Sequence, residues 1–497
     1  MTLQGKTVLV LGLGESGLAM AQWLTRLGAR VRVADSRSEP PHAAELKRSA
    51  PGAELLTGSF NEELLAGIEM LGLSPGLSLD EPVVAAAARR GIPVVGEIEL
   101  FAGALREHGL REACRVIAIT GTNGKTTTTA MAGALCRAAG KMTAVAGNIG
   151  PAALSALMAC LDAGKLPDIW VLELSSFQLE TTVSLEPDAA AVLNVTDDHL
   201  DRYAGMDDYA AAKARIFAGS GVQVLNRQDV RVMEMARAGR RRLTFGLDAP
   251  ADAADFGLAE GWLMQGGERL MRSDELALSG LHNVANALAA LALCRAIGLP
   301  LAPQLPALRE FKGLPHRVER IAEFDGVAWY DDSKGTNVGA TVAALEGLGG
   351  QMAAQTSHLP PAGREVGREV GREGASMANT RYQNNRKIVL IAGGDGKGQD
   401  FSPLGPALAS HARALVLIGR DAMNIEAAVT DCGIPITHAQ DMDQAVRKAA
   451  VAARAGDAVL LSPACASFDM FRDYAHRAEV FAQAVFEVAQ ARQKEAS

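Results

Sequence analysis

Two glycine-rich turns in this sequence carry residues whose types and spacing suit phosphate chemistry. Gly121-Thr122-Asn123-Gly124-Lys125-Thr126-Thr127 follows the apolar run Val116–Thr120 and leads into a helical pattern. A lysine and a hydroxyl at a helix N-terminus supply an ammonium for phosphate and a ligand atom for magnesium. The spacing departs from G-x-x-x-x-G-K-[ST], because Ile119 stands where the longer pattern wants its first glycine. A capped helix after a strand is the plain alternative, and an ATP site is the better fit. Gly12-Leu13-Gly14-Glu15-Ser16-Gly17 matches G-x-G-x-x-G, and Asp35 closes the next apolar run, close to where a ribose-binding acid would sit. A tight turn before a helix N-terminus suits any diphosphate. From these residues NAD, another nucleotide and a purely structural turn all stay open.

Farther on, Glu173 ends an apolar run, His199 lies in Asn194-Val-Thr-Asp-Asp-His199, and Lys213 falls in a helical pattern. Each alone reads as an ordinary strand end, turn residue or surface lysine. Together they fall at or beyond strand ends, where open α/β sheets bind ligands, so one magnesium-phosphate site is expected.

The elements that must hold these residues alternate strand with helix almost throughout, which is the pattern of parallel sheets covered on both faces. Expected strands are Thr7–Leu11, Val31–Ala34, Val116–Thr120, Ile169–Leu174, Ala190–Val195, Val327–Tyr330, Ile388–Ala392, Ala414–Ile418 and Ala458–Leu461. Expected helices are Leu18–Leu27, Val284–Ile297 and a stretch near Asn337–Glu346, with a polar, helix-like connector at Leu105–Ala113. The fold class is α/β in three domains, at 1–103, 104–313 and 314–497. Residues 349–386, rich in Gly, Pro, Ser and Gln and holding a tandem Gly-Arg-Glu-Val, are expected to be a disordered insertion.

Composition limits the rest. The 497 residues are 48% hydrophobic and only 4% aromatic, so several cores built mostly of Ala, Leu and Val are expected. A net charge of −8 offers no general field for nucleic acid or anionic lipid. Six dispersed cysteines without C-x-x-C fit buried thiols in the cytoplasm, with neither a disulfide framework nor a zinc site. The uncharged stretch Met142–Leu161 is broken by Gly147, Asn148, Gly150 and Pro151, and no membrane span is expected. The N-terminal apolar run, interrupted by Glu15, reads as strand, turn and helix and not as a signal peptide.

The sequence resembles the ATP-dependent Mur ligases of peptidoglycan synthesis over nearly its whole length. Gly121–Thr127 and the Asn283/Asn286 pair look like features of the wider family, which includes folylpolyglutamate synthases. Glu173-Leu-Ser-Ser-Phe-Gln-Leu179, Asn194 through Tyr203, Leu314-Pro-His316-Arg317, Asp332-Ser-Lys334-Gly-Thr336-Asn337, Gly393-Gly-Asp-Gly-Lys397 and Ser462-Pro-Ala-Cys-Ala-Ser467 look like the D-glutamate-adding branch. No Asp-Asn-Pro-Arg, expected of the diaminopimelate- or lysine-adding branch, occurs. Ser16 and Tyr474 stand where threonine and phenylalanine are expected.

The resemblance implies a Rossmann-like N-terminal domain holding UDP-N-acetylmuramoyl-L-alanine, with Ser16, Asp35, Ser36, Arg37, Gly76, Asn148 and His199 toward that substrate. It implies a central P-loop ATPase-like domain binding ATP through Gly121, Thr122, Asn123, Gly124, Lys125, Thr126, Thr127 and Asn286, joined by Arg317 and Asp332. It implies two Mg2+ ions on Thr126, Glu173, His199 and a carbamylated Lys213, and Lys334 near the transferred phosphate. It implies a Rossmann-like C-terminal domain taking D-glutamate on Thr336, Lys397, Ser467, Phe468 and Tyr474 and closing over ATP. The implied reaction is amide formation through an acyl phosphate, giving ADP and phosphate, in cell-wall biogenesis and hence cell shape and division, by a cytoplasmic monomer. The dehydrogenase reading then falls away. Another amide ligase of the family with a different amino acid and a non-catalytic nucleotide-binding protein remain the alternatives.

Overall fold

The computed structural model describes residues 3–199, 202–278, 280–314, 316–357 and 386–495. The Gly-Arg-Glu-Val tandem, and with it most of the expected insertion, lies outside the described residues. By contact density the chain forms two units, Met1–Leu278 with Asn283–Lys312, and Ser279–His282 with Gly313–Ser497.

The first unit contains two sheets. One comprises β1 (Thr7–Leu11), β2 (Arg30–Asp35), β3 (Glu54–Thr57), β4 (Met70–Leu73) and β5 (Val94–Val95), in the order β3-β2-β1-β4-β5 and all parallel. Val8 through Leu11 are fully buried, as a strand covered on both faces requires. The chain reverses its direction of travel across the sheet between β1 and β4, so the crevice beyond the carboxyl ends of these strands is the natural ligand position. The Glu15–Arg26 helix buries Ala19, Met20, Trp23 and Leu24 on this sheet at the i, i+1, i+4, i+5 spacing of one helical face.

The second sheet comprises β6 (Arg115–Thr120), β7 (Thr143–Gly147), β8 (Ile169–Glu173), β9 (Ala189–Val192), β10 (Val222–Asn226), β11 (Arg242–Phe245), β12 (Phe256–Ala259), β13 (Trp262–Gln265) and β14 (Glu268–Arg272). Its order is β14-β13-β12-β11-β10-β9-β6-β8-β7. The Lys125–Ala138 and Leu281–Ala296 helices share a core with it made largely of Ala, Leu and Val, including Ala287 through Leu293. The low aromatic content is thus matched by close packing of small helix-forming residues.

In the second unit β15 (Glu319–Phe324), β16 (Val327–Asp331), β17 (Ile388–Gly393), β18 (Ala412–Ile418), β19 (Ile436–His438) and β20 (Ala458–Leu461) run in the order β15-β16-β20-β17-β18-β19, parallel except for β15.

Four features differ from the sequence expectations. Only Leu105–Glu107 of the expected Leu105–Ala113 connector are helical, as the end of an earlier helix, Glu97–Glu107, whose Ile98, Phe101, Ala102 and Leu105 form its buried stripe; Gly109 at φ 64° then turns the chain and the rest is non-helical. The helix expected near Asn337–Glu346 runs from Val338 to Ser357, through four glycines, Gly339, Gly347, Gly349 and Gly350. Burial of Leu345, Leu348 and Met352 along one face offsets their cost of about 1 kcal/mol each. Third, antiparallel hairpins β12–β13–β14 and β15–β16 extend the sheets, joined by Glu260-Gly261, Gly266-Gly267 and Asp325-Gly326. Positive φ at both residues of the first and last of these turns matches the right-handed twist of the strands. Fourth, all six cysteines are free, but Cys160 and Cys432 are only partly buried.

Candidate functional site

The first glycine turn leaves β1 and enters the Glu15–Arg26 helix. A Cβ on Gly17 would overlap the Gly12 carbonyl oxygen, so the turn closes only around glycine there. The Ser74 hydroxyl, beyond β4, donates to that same carbonyl at 2.8 Å. Asp35 at the end of β2 is buried, and both its oxygens are engaged. Oδ2 accepts from the Leu13 N–H at 2.7 Å, and Oδ1 accepts from the Arg37 backbone N–H at 2.9 Å and its Nε at 2.8 Å, while Arg37 Nη2 lies 2.7 Å from Oδ2. Burial pushes this carboxyl up, but the Arg37 guanidinium and the two backbone N–H groups outweigh it and hold the pKa at about 2. Asp35 therefore anchors the turn and orients Arg37; no oxygen is left over for a ribose diol. Ser16 is half-buried, and Ser36, Arg37 and Gly76 are exposed around the crevice.

The second turn leaves β6. Gly124 caps the Lys125–Ala138 helix in the left-handed region, φ 79°, and a Cβ there would overlap Asn286 Oδ1. Asn286 also accepts from the Thr128 hydroxyl at 3.2 Å and donates to Asn283 at 3.3 Å, so it sits against the turn. Asn194, first residue of its motif, clamps the turn from β9: its side chain accepts from Asn123 N at 2.8 Å and donates to Asn123 O at 3.1 Å, and its carbonyl accepts from Thr122 N at 2.9 Å. Asn194 was not singled out from the sequence, although its place at a strand end opposite the turn was a usable signal. Lys125 Nζ donates to the Gly121 and Thr122 carbonyls at 2.8 and 2.6 Å.

Glu173, Lys213, His199 and Asn148 gather beside this turn. Glu173 at the end of β8 is buried; Oε1 accepts from Asn148 Nδ2 at 2.7 Å, and Oε2 has no partner among the described residues. A buried carboxylate oxygen without a donor fits a cation. The Met206–Ala214 helix carries Lys213, fully enclosed, with Nζ donating to Gly121 O at 2.9 Å and lying 4.3 Å from the centre of the Tyr209 ring. Burial, and after it the Lys125 charge, hold the Lys213 ammonium well below the ordinary lysine range against the pull of Asp198. His199 sits at φ 56° on the loop after β9, its backbone N–H on Asp198 Oδ1 at 2.9 Å and its ring 4.7 Å from Phe177. Lys213 and Gly121 thus meet directly, as do Asn148 and Glu173, although they are far apart in the chain.

In the second unit the loops following β16, β20 and β17, adjacent strands, are stitched together. Ser462 Oγ lies 2.7 Å from Asp332 Oδ2, Ala464 N donates to Gly335 O at 3.0 Å, and Asp395 and Ala466 exchange backbone bonds at 3.0 and 2.8 Å. These bonds bring Asp332, Lys334 and Thr336 into one region with Lys397 and Ser467. Burial pushes Asp332 up to about 7, opposed by the Ser462 hydroxyl and Arg317. Lys334 Nζ lies 5.1 Å from the centre of the Tyr474 ring. The Phe468 side chain is 74% exposed. The residues expected for ATP therefore divide between the units: Gly121–Thr127 and Asn286 in the first, Arg317 and Asp332 in the second.

Known proteins are similar to this chain in sequence and in fold. Residues 6–96 match the profile of the Mur ligase MurD-like N-terminal domain, 119–294 that of the Mur ligase middle domain, and 373–465 that of the Mur ligase glutamate ligase domain. The UDP-N-acetylmuramoylalanine–D-glutamate ligase of Nitrosospira multiformis is 56% identical, covering 98% of this chain and 96% of the relative. That of Aromatoleum aromaticum is 55% identical, covering 96% of this chain and 97% of the relative. In fold, the UDP-N-acetylmuramate–alanine ligase of Thermotoga maritima superposes with a TM-score of 0.59 at 20% identity over 96% of this chain and 98% of its own. With three successive domain profiles matched in order, and relatives of this identity along nearly its full length, the chain belongs to the Mur ligase family.

Proposed function

We propose that this chain joins the amine of D-glutamate to the alanyl carboxylate of UDP-N-acetylmuramoyl-L-alanine, converting ATP to ADP and phosphate, as a step of peptidoglycan precursor synthesis. The likeness of nearly the whole chain to relatives bearing that activity in their names, at 50–56% identity, carries the reading.

A carboxylate is a poor electrophile, so its oxygen attacks the γ-phosphorus of ATP, the bond to the bridging oxygen breaks and ADP leaves. The amine of D-glutamate then adds to the acyl phosphate, and collapse of the tetrahedral intermediate expels phosphate and a proton. Bringing carboxylate to triphosphate opposes like charges, about 4 kcal/mol for two unit charges at 4 Å and an effective dielectric of 20. Lys125 at the helix N-terminus offsets this, and the clamped turn holds the phosphates in line. Thr126, Glu173, His199 and a carbamylated Lys213 are the residues that would hold Mg2+, which supplies positive charge to the phosphoryl oxygens. Burial, and after it the Lys125 charge, disfavour the Lys213 ammonium, and the free amine is the form whose nitrogen adds to CO2 with loss of one proton. Around the first turn, Ser16, Ser36, Arg37 and Gly76 face the uridine diphosphate, with Asp35 as their anchor, and Asn148 and His199 lie toward the sugar. Lys334 approaches the transferred phosphate, and Arg317 and Asp332 the nucleotide. Thr336, Lys397, Ser467, Tyr474 and the Phe468 backbone take the carboxylates of D-glutamate.

None of the described helices is long and apolar enough to cross a membrane. We assign the enzyme to the cytoplasm, as a monomer acting on small molecules. The test is phosphate release with ATP, UDP-N-acetylmuramoyl-L-alanine and a panel of D- and L-amino acids. Turnover is expected with D-glutamate alone; equal turnover with L-lysine or diaminopimelate overturns the assignment.

A further inference from the structure

One arginine of the first unit is held on three sides by groups that belong to different parts of the site. Arg202 follows His199 on the loop beyond β9, and its side chain is 13% exposed. Its Nη1 donates to Pro75 O at 3.0 Å and its Nη2 to Leu77 O at 2.9 Å, so one guanidinium straddles Gly76. The same Nη2 reaches Glu180 Oε2 at 2.6 Å, and the guanidinium carbon stands 4.1 Å from the centre of the Phe177 ring. Its backbone N–H donates to His199 O at 3.0 Å.

On the near side of Gly76, Ser74 is tied to the strands through Leu11 O at 3.0 Å and Gly12 O at 2.8 Å, and Leu77 packs against the core; Gly76 between them is the open point. Gly76 is exposed and a Cβ there would meet nothing within 4 Å, so the segment is not fixed by packing at that residue. Two carbonyls bound to one planar fork are fixed in both distance and direction, which a flexible point charge cannot do. On the other side the contacts run straight to the transfer centre. Phe177 lies edge-on to His199 at 4.7 Å and stacks on Tyr203 at 6.1 Å. Tyr203 donates its hydroxyl to Glu180 Oε1 at 2.6 Å and lies 5.2 Å from Tyr209, the ring over which Lys213 sits.

We propose that Arg202 is a positioning residue that fixes the Gly76 segment and the His199 loop as one piece, so that the sugar nucleotide bound at the first turn is set in register with the transfer centre. This rests on the reading above that Gly76 faces the uridine diphosphate. It separates two properties of Arg202: its charge, which Glu180 needs, and its fork, which the two carbonyls need.

The test compares full-length wild type with Arg202→Ala, Arg202→Lys and Glu180→Gln. It reads melting temperature, the KM for each substrate, kcat, and the Kd of UDP and of UDP-N-acetylmuramoyl-L-alanine by calorimetry. Arg202→Ala is expected to raise the Kd and KM for the sugar nucleotide about tenfold and lower kcat about tenfold, with the KM for ATP and D-glutamate within about twofold. Arg202→Lys keeps the charge and should recover most of the melting temperature while leaving the sugar-nucleotide KM raised. Glu180→Gln should shift the same constants less. Unchanged sugar-nucleotide Kd in Arg202→Lys and Glu180→Gln overturns the proposal, as does a uniform change in all three KM values that follows the melting temperature. If Arg202→Ala does not fold, the other two variants decide. A wild type that binds UDP without forming a D-glutamyl product sinks the functional reading, and the UDP affinities of the variants still decide this one.

Discussion

The two glycine turns of the first unit are built from the same local plan, a buried strand, a turn that admits no side chain at a key glycine, and a helix N-terminus, yet their surroundings differ in charge. At Gly12–Gly17 the nearest buried ionised group is an acid, Asp35, already neutralised by Arg37. At Gly121–Lys125 the turn's own carbonyls accept hydrogen bonds from two lysine nitrogens, Lys125 Nζ and Lys213 Nζ, and a buried carboxylate oxygen with no donor among the described residues stands at the end of the neighbouring strand. On the function proposed above, turn geometry suits phosphate in both places, and the buried charges decide whether phosphate is merely held or transferred.

The largest effects should therefore fall on the second turn. Lys125→Ala removes the ammonium proposed to face the transferred phosphate and is expected to lower kcat by about 10²–10³ with an unchanged melting temperature. Retention of half the wild-type rate would mean that the two turns do the same job. Lys213→Ala should be as severe, and it offers a sharper question. If Lys213 acts as a carbamate, added acetate or another short carboxylate should restore part of the rate; rescue by small amines alone would show that it acts as an ammonium.

The first turn should respond differently. Arg37→Ala removes an exposed guanidinium from the proposed binding surface and leaves Asp35 with only its backbone N–H partners. The expected change is a rise of about tenfold in the KM for UDP-N-acetylmuramoyl-L-alanine with kcat nearly unchanged, since binding lost equally in ground and transition state shows in KM alone. A large fall in kcat at saturating substrate would erase the distinction between the turns.

Much of this contrast was legible in the sequence, and what was missed has physical causes. Both turns, the strand ends at Asp35 and Glu173, and the parallel core strands follow from local pattern, because burial on two faces demands continuous apolar runs. What local pattern leaves open is which partner a group meets. Asp35 has the position of a ribose acid, but its pairing with Arg37, two residues on, depends on how the chain leaves β2. Asn194 and Arg202 lie in motifs that assign them no role, since their partners, Asn123 for one and the Pro75 and Leu77 carbonyls for the other, are distant in sequence. β16 was legible as the run Val327–Tyr330, but its hairpin partner β15 and the strands β12–β14 were not, because they are short or half exposed and only the two-residue turns mark them. The helix continuing to Ser357 shows tertiary burial overriding glycine.

The smallest expected effect concerns the seam between the first two sheets, where two carboxylates meet the same helix end. Glu97 is buried; its Oε1 accepts from Leu154 N at 2.6 Å and its Oε2 has no partner among the described residues, while Glu15, from the first turn, accepts from Ala152 N at 3.1 Å. Burial, followed by the nearby Glu15 charge, outweighs the Leu154 and Ala153 N–H groups and raises the Glu97 pKa to about 7. A carboxyl whose pKa is higher folded than unfolded binds its proton more tightly in the folded state. It therefore lowers stability as pH rises from its unfolded value, 4.5, to about 7, and the penalty is complete above that. Glu97→Gln keeps the acceptor for Leu154 and replaces the unpartnered oxygen by a donor beside Glu15, without a charge to bury. The variant should melt about 2–4 °C higher than wild type at pH 8, the shift that about 1 kcal/mol produces in a large domain, and no higher at pH 5, where wild-type Glu97 is protonated. Its kcat should stay within about twofold, because Glu97 touches a helix end and not the phosphates. An equal difference in melting temperature at both pH values would mean that Glu97 is ionised in the folded protein, and the first turn would then have an uncompensated acidic neighbour.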